Sequence, residues 1–263
     1  MPVSTYAFEH SWELEGERLT LIETVFDDGT RHHLTRLAVP AGGRCLEVGA
    51  GAGSIARWLC GRVGPAGRVV ATDLETGFLE GLSEENLEVR RHDIVTDELE
   101  TDAFDLIHAR MVLEHIPERD RVVGRLVGAL RPGGWLVLED FDWGMAGAAP
   151  GCSGGELFDR VQEAALRLLD AAGYSDRYGR VLPVALSAAG LVEVGAEGRV
   201  HVGVPGSPVS AFWRISVTKF VPALADRKVL SADEVEELAA SFGAEDFFFQ
   251  LPTLVTAWGR RPG

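Results

Sequence analysis

From Arg44 onward, short apolar runs alternate with segments whose apolar residues recur at helical spacing. RCLEV from Arg44, RVVATD from Arg68, LEVRRHD from Leu87, FDLIHA from Phe104 and WLVLED from Trp135 read as successive strands. Helical patterns separate most of them, which implies a parallel sheet covered on both faces. Turn chemistry marks the same boundaries. VGPAGR precedes the second strand, and RPGG at Arg131 to Gly134 ends a helix that begins near Pro117 and launches the fifth strand. Ahead of the first strand, residues 11 to 38 carry Leu14, Leu19, Ile22, Phe26, Leu34 and Leu37 among charges, a pattern for one or two amphipathic helices.

Beyond the fifth strand, WGMAGAAPGCSGG reads as a loop, and Glu156 to Ala172 as a helix with Leu157, Val161, Ala164, Ala165, Leu168 and Leu169 on one face. RYGRVLPVALSAAG suggests a turn and a short helix leading into a sixth strand within Leu191 to Val204. Residues 209 to 242 read as more helix, the last part opening with Ser231 and Glu234 at capping-box spacing. TLVTAWG is a final strand. The expected fold is a doubly wound, mostly parallel seven-stranded α/β sheet, one domain over 1–263. Within it, 1–40 form an N-terminal helical lid, 41–142 the ligand-binding core, and 143–180 and 205–245 added cap helices.

With 263 residues, 46% of them hydrophobic, the chain can bury a sizeable core, which excludes disorder and mini-protein scaffolds. The three cysteines, Cys45, Cys60 and Cys152, make neither a disulfide framework nor a CxxC zinc site, so a reducing cytoplasm is the simplest setting. No export signal or membrane-length apolar run is seen, and no membrane partner is expected. Lys and Arg total 25 against 40 Asp and Glu, a formal charge of -15 that repels polyanions, so no nucleic-acid partner is expected either. A homodimer stays open.

Ligands of open parallel sheets bind beyond the carboxyl ends of the strands, where the chain crosses faces. Four consecutive strand ends carry candidates there: Glu47, Gly49, Gly51 and Gly53; Asp73 with Leu74; Asp93 with Ile94; and Ala109 with Arg110. LEVGAGAGS departs from the dinucleotide fingerprint GxGxxG, because Ser54 stands at the sixth place counted from Gly49. Its spacing is ExGxGxG. Gly49 and Gly51 would let a ligand lie on the backbone, and Gly53 would permit close helix packing. Glu47 opposes a pyrophosphate and suits an amine or sulfonium. Asp73 is placed to accept from two ribose hydroxyls, and Asp93 from an exocyclic adenine amine with Ile94 against the ring.

These motifs resemble those of the class I S-adenosylmethionine-dependent methyltransferases. LEVGAGAG looks like the family's first motif, VVATD its ribose-binding acid, RRHDI its adenine contact, FDLIHARMVLEHIP its fourth strand and following helix, and LRPGGWLVLED its fifth strand. The resemblance covers about residues 40 to 142. The wider chain is similar to small-molecule methyltransferases of bacterial, especially actinobacterial, secondary metabolism. It implies S-adenosylmethionine as cofactor, with S-adenosylhomocysteine as product, and a small-molecule acceptor as partner, methylated at oxygen first, with nitrogen or carbon next. Relatives that steer cyclisation without methyl transfer, or that act as regulatory binding proteins, are the alternative.

Transfer from a sulfonium needs alignment and water exclusion more than a nucleophilic side chain. A general base would lie beyond the fourth and fifth strands, where His115 is the first candidate, Asp142 the second and Asp140 the third. His108, inside a central strand, reads as a satisfied core histidine. Asp140 with Asp142 raises a metal site like that of catechol-type relatives, but Ala109 stands where the third ligand would be, so no metal is expected. HARM replaces the Asn/Asp-Pro-Pro-Tyr of amino-directed base methylation. Trp12, Trp143, Phe158, Phe212, Trp213 and Phe220 could enclose an organic acceptor, and Tyr6, Trp12 and Arg18 could close over the donor.

Overall fold

A computed structural model of the chain describes residues 14–37 and 39–263. Of the one or two N-terminal helices expected, the described residues show one of 22 residues, α1 (Glu15–Arg36). Then follow β1 (Arg44–Val48), α2 (Ser54–Val63), β2 (Arg68–Asp73), β3 (Leu87–Arg91), β4 (Phe104–Arg110), α3 (Arg119–Ala129) and β5 (Leu130–Asp142). The second half comprises β6 (Gly147–Ala148), α4 (Gly155–Asp170), α5 (Tyr178–Ala188), β7 (Val192–Arg199), β8 (Val202–Gly203), α6 (Pro208–Thr218), α7 (Val221–Asp226), α8 (Ala232–Ser241), β9 (Phe249–Gln250) and β10 (Thr253–Arg260).

Seven strands form one sheet in the order β3-β2-β1-β4-β5-β10-β7. The five from β3 to β5 are parallel, and β10 runs antiparallel to both β5 and β7. Winding therefore proceeds outward from β1 to β3, then returns across β1 to β4. This reversal leaves a crevice at the carboxyl ends of β1 and β4. A second small sheet, β6-β9-β8, was not expected, because two-residue strands carry no periodic signal.

Strand β5 starts earlier than the apolar run WLVLED suggests. Phe104 pairs with Leu130 and Leu106 with Trp135, so the RPGG segment is an excursion within the ladder, turned by Gly133 at φ +82°. Central strands β1, β4 and β5 are buried on both faces, packed on one side against α3 and α5 through Leu46, Ile107, Leu126 and Leu182, and on the other against α1 and α2 through Leu34, Leu59 and Leu106. Edge strand β3 alternates instead.

The later helices share a third core. Phe158 of α4, Phe212 and Trp213 of α6, and Phe247 meet Phe141 at the end of β5 and Phe26 of α1. Each such aromatic contributes about 1.5–3 kcal/mol on burial, so the added helices are anchored to the same strand end that borders the crevice. The expected capping box is present: Glu234 N–H donates to Ser231 Oγ at 3.2 Å and Ser231 N–H to Glu234 Oε2 at 2.8 Å. Among the described residues no helix is long and apolar enough to cross a membrane.

Candidate active site

One cavity of about 620 Å³ opens over the crevice, within the range of about 300–1,000 Å³ usual for ligand sites. Its floor is the turn after β1. Gly49 has φ +67° and Gly53 φ +87°, conformations that a side chain would strain. A Cβ at Gly49 would meet Val112 Cγ2 at 2.4 Å, and one at Gly53 would meet Leu82 Cδ1 at 2.5 Å and Leu79 Cδ2 at 2.9 Å. Gly53 thus serves close packing against the segment after β2, and it does not line the cavity.

Glu47 is buried at the cavity wall, and its carboxylate is held by a neighbour. Both its oxygens lie at 2.9 and 2.8 Å from His108 Nδ1, because Glu47 and His108 are register partners across β1 and β4. On its other edge, His108 Nε2 lies 3.3 Å from Glu139 Oε2. Glu139 also accepts from Thr30 Oγ1 of α1 and Thr256 Oγ1 of β10, each at 2.5 Å. Arg110 Nη1 donates to Thr30 Oγ1 at 2.9 Å and Nη2 to Asp27 Oδ1 at 3.0 Å. Burial alone would push the imidazole down, but the two flanking carboxylates win and raise it to about 9. Glu139 is correspondingly drawn down to about 2 despite its burial. His108 is therefore a charged imidazolium at neutral pH, clamped between two glutamates.

Two further carboxylates stand at the next strand ends. Asp73 is half-buried and accepts from Gly51 N–H at 3.0 Å and Glu75 N–H at 3.3 Å. Asp93 accepts from Val95 N–H at 2.8 Å and Thr96 Oγ1 at 2.9 Å, so it also fixes its own turn. Leu74 and Ile94 offer apolar surface beside them, and all four line the cavity.

The opposite half of the cavity is built around Glu114 and His115, in the short turn after β4. Glu114 accepts from Phe141 N–H at 2.7 Å, and its Oε1 lies 3.5 Å from His115 Nε2. Burial lifts the Glu114 carboxyl to about 8, whereas burial and the Arg18 charge hold His115 down at about 3. Both are uncharged at neutral pH, so their proximity is not an ion pair. The Tyr174 ring packs tilted at 56°, 5.0 Å from that of His115, and Tyr174 bonds to Glu114, while Asp140, behind the wall, accepts from Glu114 N–H at 3.3 Å. Met111, at φ +56°, turns the chain out of β4 into this half. Left-handed geometry in a non-glycine costs about 1–3 kcal/mol, the kind of strain found at functional sites. Glu114, Tyr174 and Met111 escaped the sequence reading. The FDLIHARMVLEH run held a signal for the first, a carboxylate beside a candidate base.

A family model described as a methyltransferase domain matches residues 25–184. The chain belongs to the S-adenosylmethionine-dependent methyltransferases. The methyltransferase str2 of Strobilurus tenacellus is 30% identical over 179 residues, 67% of this chain and 63% of that protein. Trans-aconitate 2-methyltransferase of Variovorax paradoxus is 32% identical over 108 residues, 40% of this chain and 41% of the relative. This methyltransferase chain therefore matches less than two thirds of either relative's length. Among solved structures, phosphoethanolamine N-methyltransferase 2 of Haemonchus contortus, in complex with phosphomonomethylethanolamine and S-adenosylhomocysteine, superposes with TM-score 0.60 at 17% identity, over 100% of this chain and 61% of that one. At that identity the likeness is one of fold.

The methyltransferase donor, an aminoacyl sulfonium nucleoside, can be set against what faces the cavity. A glycine- and alanine-built turn, carboxylates at the ends of β1 and β2 and apolar surface at Ile94 fit its cationic, ribose and ring portions. Of the candidates named from sequence, the fold brings Glu47, Gly49, Gly51, Asp73, Leu74, Asp93, Ile94, Arg110, His115, Trp143, Phe212 and Trp213 to this one cavity, along with Arg18 and Phe220. Others are elsewhere. Ala109 is buried in β4 with its side chain in the core, and Phe158 of α4 is fully buried in the aromatic core. Asp142 does not face the cavity: Arg180 grips it with bonds of 2.6 and 2.7 Å and Gly144 N–H donates to it, which draws its carboxyl below the usual range. Asp140 does not line it either. Tyr6 and Trp12 lie outside the described residues. Among the described residues no group of three or more His, Cys, Asp or Glu is arranged to hold a metal.

Proposed function

We propose that the protein transfers a methyl group from S-adenosylmethionine to a small organic acceptor at oxygen. The observation that carries this reading is the continuity of the cavity, which runs from Asp73 and Asp93 at one end to His115 and the aromatic side chains at the other. Asp73 would hold the ribose, Asp93 the adenine edge, and Glu47 the cationic end. The donor supplies an electrophilic methyl group, which bonds to the acceptor oxygen as the carbon–sulfur bond breaks and leaves its electron pair on sulfur. The hydroxyl proton would go to the imidazole of His115, which is unprotonated at neutral pH; burial and Arg18 make it a weak base, and the positive charge leaving sulfur in the same step is what favours its protonation. Helix α1 brings Arg18 and Leu19 over the glycine turn, which supports a lid that excludes water.

In place of a nucleophile, the chain supplies alignment, worth roughly 7–11 kcal/mol for well-oriented pairs. The test is transfer of labelled methyl from S-adenosylmethionine to panels of hydroxylated and amine-bearing metabolites. We expect labelled methyl ethers, and His115→Ala should lower kcat by about 100-fold or more, the usual scale of a lost general base. Donor binding without transfer to any panel member would instead favour a non-methylating relative of the fold.

A further inference from the structure

The acceptor half of the cavity differs from the donor half in the way its polar groups are spent. Phe141 at the end of β5 and Trp143 just after it pack against Trp213 of α6, beside Phe212, and together they form one aromatic wall of it, with Phe220 also lining the cavity. Trp143 Nε1 donates to Tyr174 OH at 2.9 Å, and Trp213 Nε1 donates to Gln162 Oε1 at 2.9 Å. Both indoles thus turn their one polar atom toward protein, and the two rings, 5.3 Å apart at 48°, present carbon to the cavity.

The charges are spent as well. Two guanidinium groups line the cavity. Arg18 donates to both oxygens of Glu15 at 2.8 and 2.7 Å, with both side chains buried, and Arg110 is bonded to Asp27 and Thr30. An anionic acceptor would have to break one of these pairs to gain a counter-charge, leaving a carboxylate buried and unpaired. Residues 1–13 contain no lysine or arginine that could supply another. A cationic acceptor fares no better. Glu118 lines the cavity from an exposed position at its rim, burial raises the carboxyl of Glu23 above its ordinary value, and Glu114, the carboxyl beside His115, is already bonded by Phe141 N–H and kept protonated at neutral pH by burial. A cation there would also sit against the donor's sulfonium.

We propose that the acceptor is an uncharged, flat, mostly apolar molecule that lies against the wall formed by Trp143 and Trp213 and presents a single hydroxyl to His115. This inference rests on the methyltransferase reading of the cavity. Its chemistry is the same step: the oxygen gains the methyl carbon, the hydroxyl proton passes to His115, and the sulfur keeps the electron pair of the broken bond. Reactions that supply such an acceptor must leave a free hydroxyl on an uncharged aromatic or conjugated skeleton, and the product leaves more apolar than it arrived.

Calorimetry with three probes tests this: 2-naphthol, the tricarboxylate trans-aconitate and choline, each titrated with and without saturating S-adenosylhomocysteine. The expected result is 2-naphthol binding at least tenfold tighter than either charged probe. Trp213→Ala should weaken 2-naphthol at least tenfold while leaving S-adenosylhomocysteine affinity within about twofold. Trp143→Ala, at a half-buried position, should do the same and covers the case in which the buried Trp213 is needed for folding. Failure of 2-naphthol to bind, or tighter binding of a charged probe, overturns the proposal. Loss of S-adenosylhomocysteine binding alone would count against the donor reading, because the probe ranking is also taken without it.

Discussion

The two halves of the cavity are made by different means. At the donor end, the ligand-facing groups stand at strand ends within the run from Glu47 to Arg110, and the parallel sheet brings them together in chain order. At the acceptor end, side chains from α1, the turn after β4, the end of β5, α4 and α6 meet, joined by a core of long-range aromatic contacts. Charge follows the same division. Carboxylates and an imidazolium dominate the first half, whereas the second buries a protonated glutamate and an uncharged histidine. A site of this kind can keep its donor chemistry fixed while its acceptor pocket is rebuilt.

Changes that break one half and spare the other sharpen the contrast. The largest effect is expected from His108→Gln, which leaves Glu47 and Glu139 facing each other without the cation between them. Removing one partner of a buried charged group costs about 3–5 kcal/mol, measurable as a lower urea midpoint. Because the folded His108 titrates near 9 against an ordinary 6.5, its stabilisation is complete below 6.5 and fades as pH rises through about 9. The gap between wild type and variant should therefore narrow in alkali. Next is Asp73→Ala, which removes charge-assisted bonds of about 1.5–3 kcal/mol each and should weaken S-adenosylmethionine by about tenfold or more. Binding of 2-naphthol should not follow it, and unchanged donor affinity would refute the ribose role.

Glu114→Gln probes the acceptor half. The native state keeps on Glu114 a proton that the unfolded chain releases above 4.5, so wild type loses stability as pH rises from 4.5 through about 8. The variant cannot titrate there, so its unfolding midpoint should gain on wild type across that window. Asp142→Asn should do least. It loosens a partly exposed pair with Arg180, worth roughly 0–1 kcal/mol, and kcat should stay within about threefold.

The donor half was legible because its information is local. An acidic residue before alternating glycines, and single aspartates closing β2 and following β3, keep their spacing whether or not the chain is folded. Even so, the sequence pointed Glu47 only at a ligand's amine or sulfonium, whereas the register of β1 on β4 also makes it the partner of His108. The expected core histidine is thus satisfied, but by the residue assigned to the ligand. For the acceptor half, sequence supplied residue types without direction. Phe158 and Phe212 look alike in a helical pattern, yet one points into the core of α4 and the other to the cavity. Asp142 stood at a suitable strand end, and only the fold shows Arg180 turning it away. Glu114 became notable once burial and Phe141 were seen around it.

Calorimetric titration of S-adenosylmethionine into the wild-type protein tests the central claim most directly, that the strand-end half of this cavity is a donor site. Saturable one-to-one binding, displaced by S-adenosylhomocysteine and retained in Trp143→Ala, is the predicted result. No binding, or binding lost in Trp143→Ala but untouched in Asp73→Ala, would contradict it.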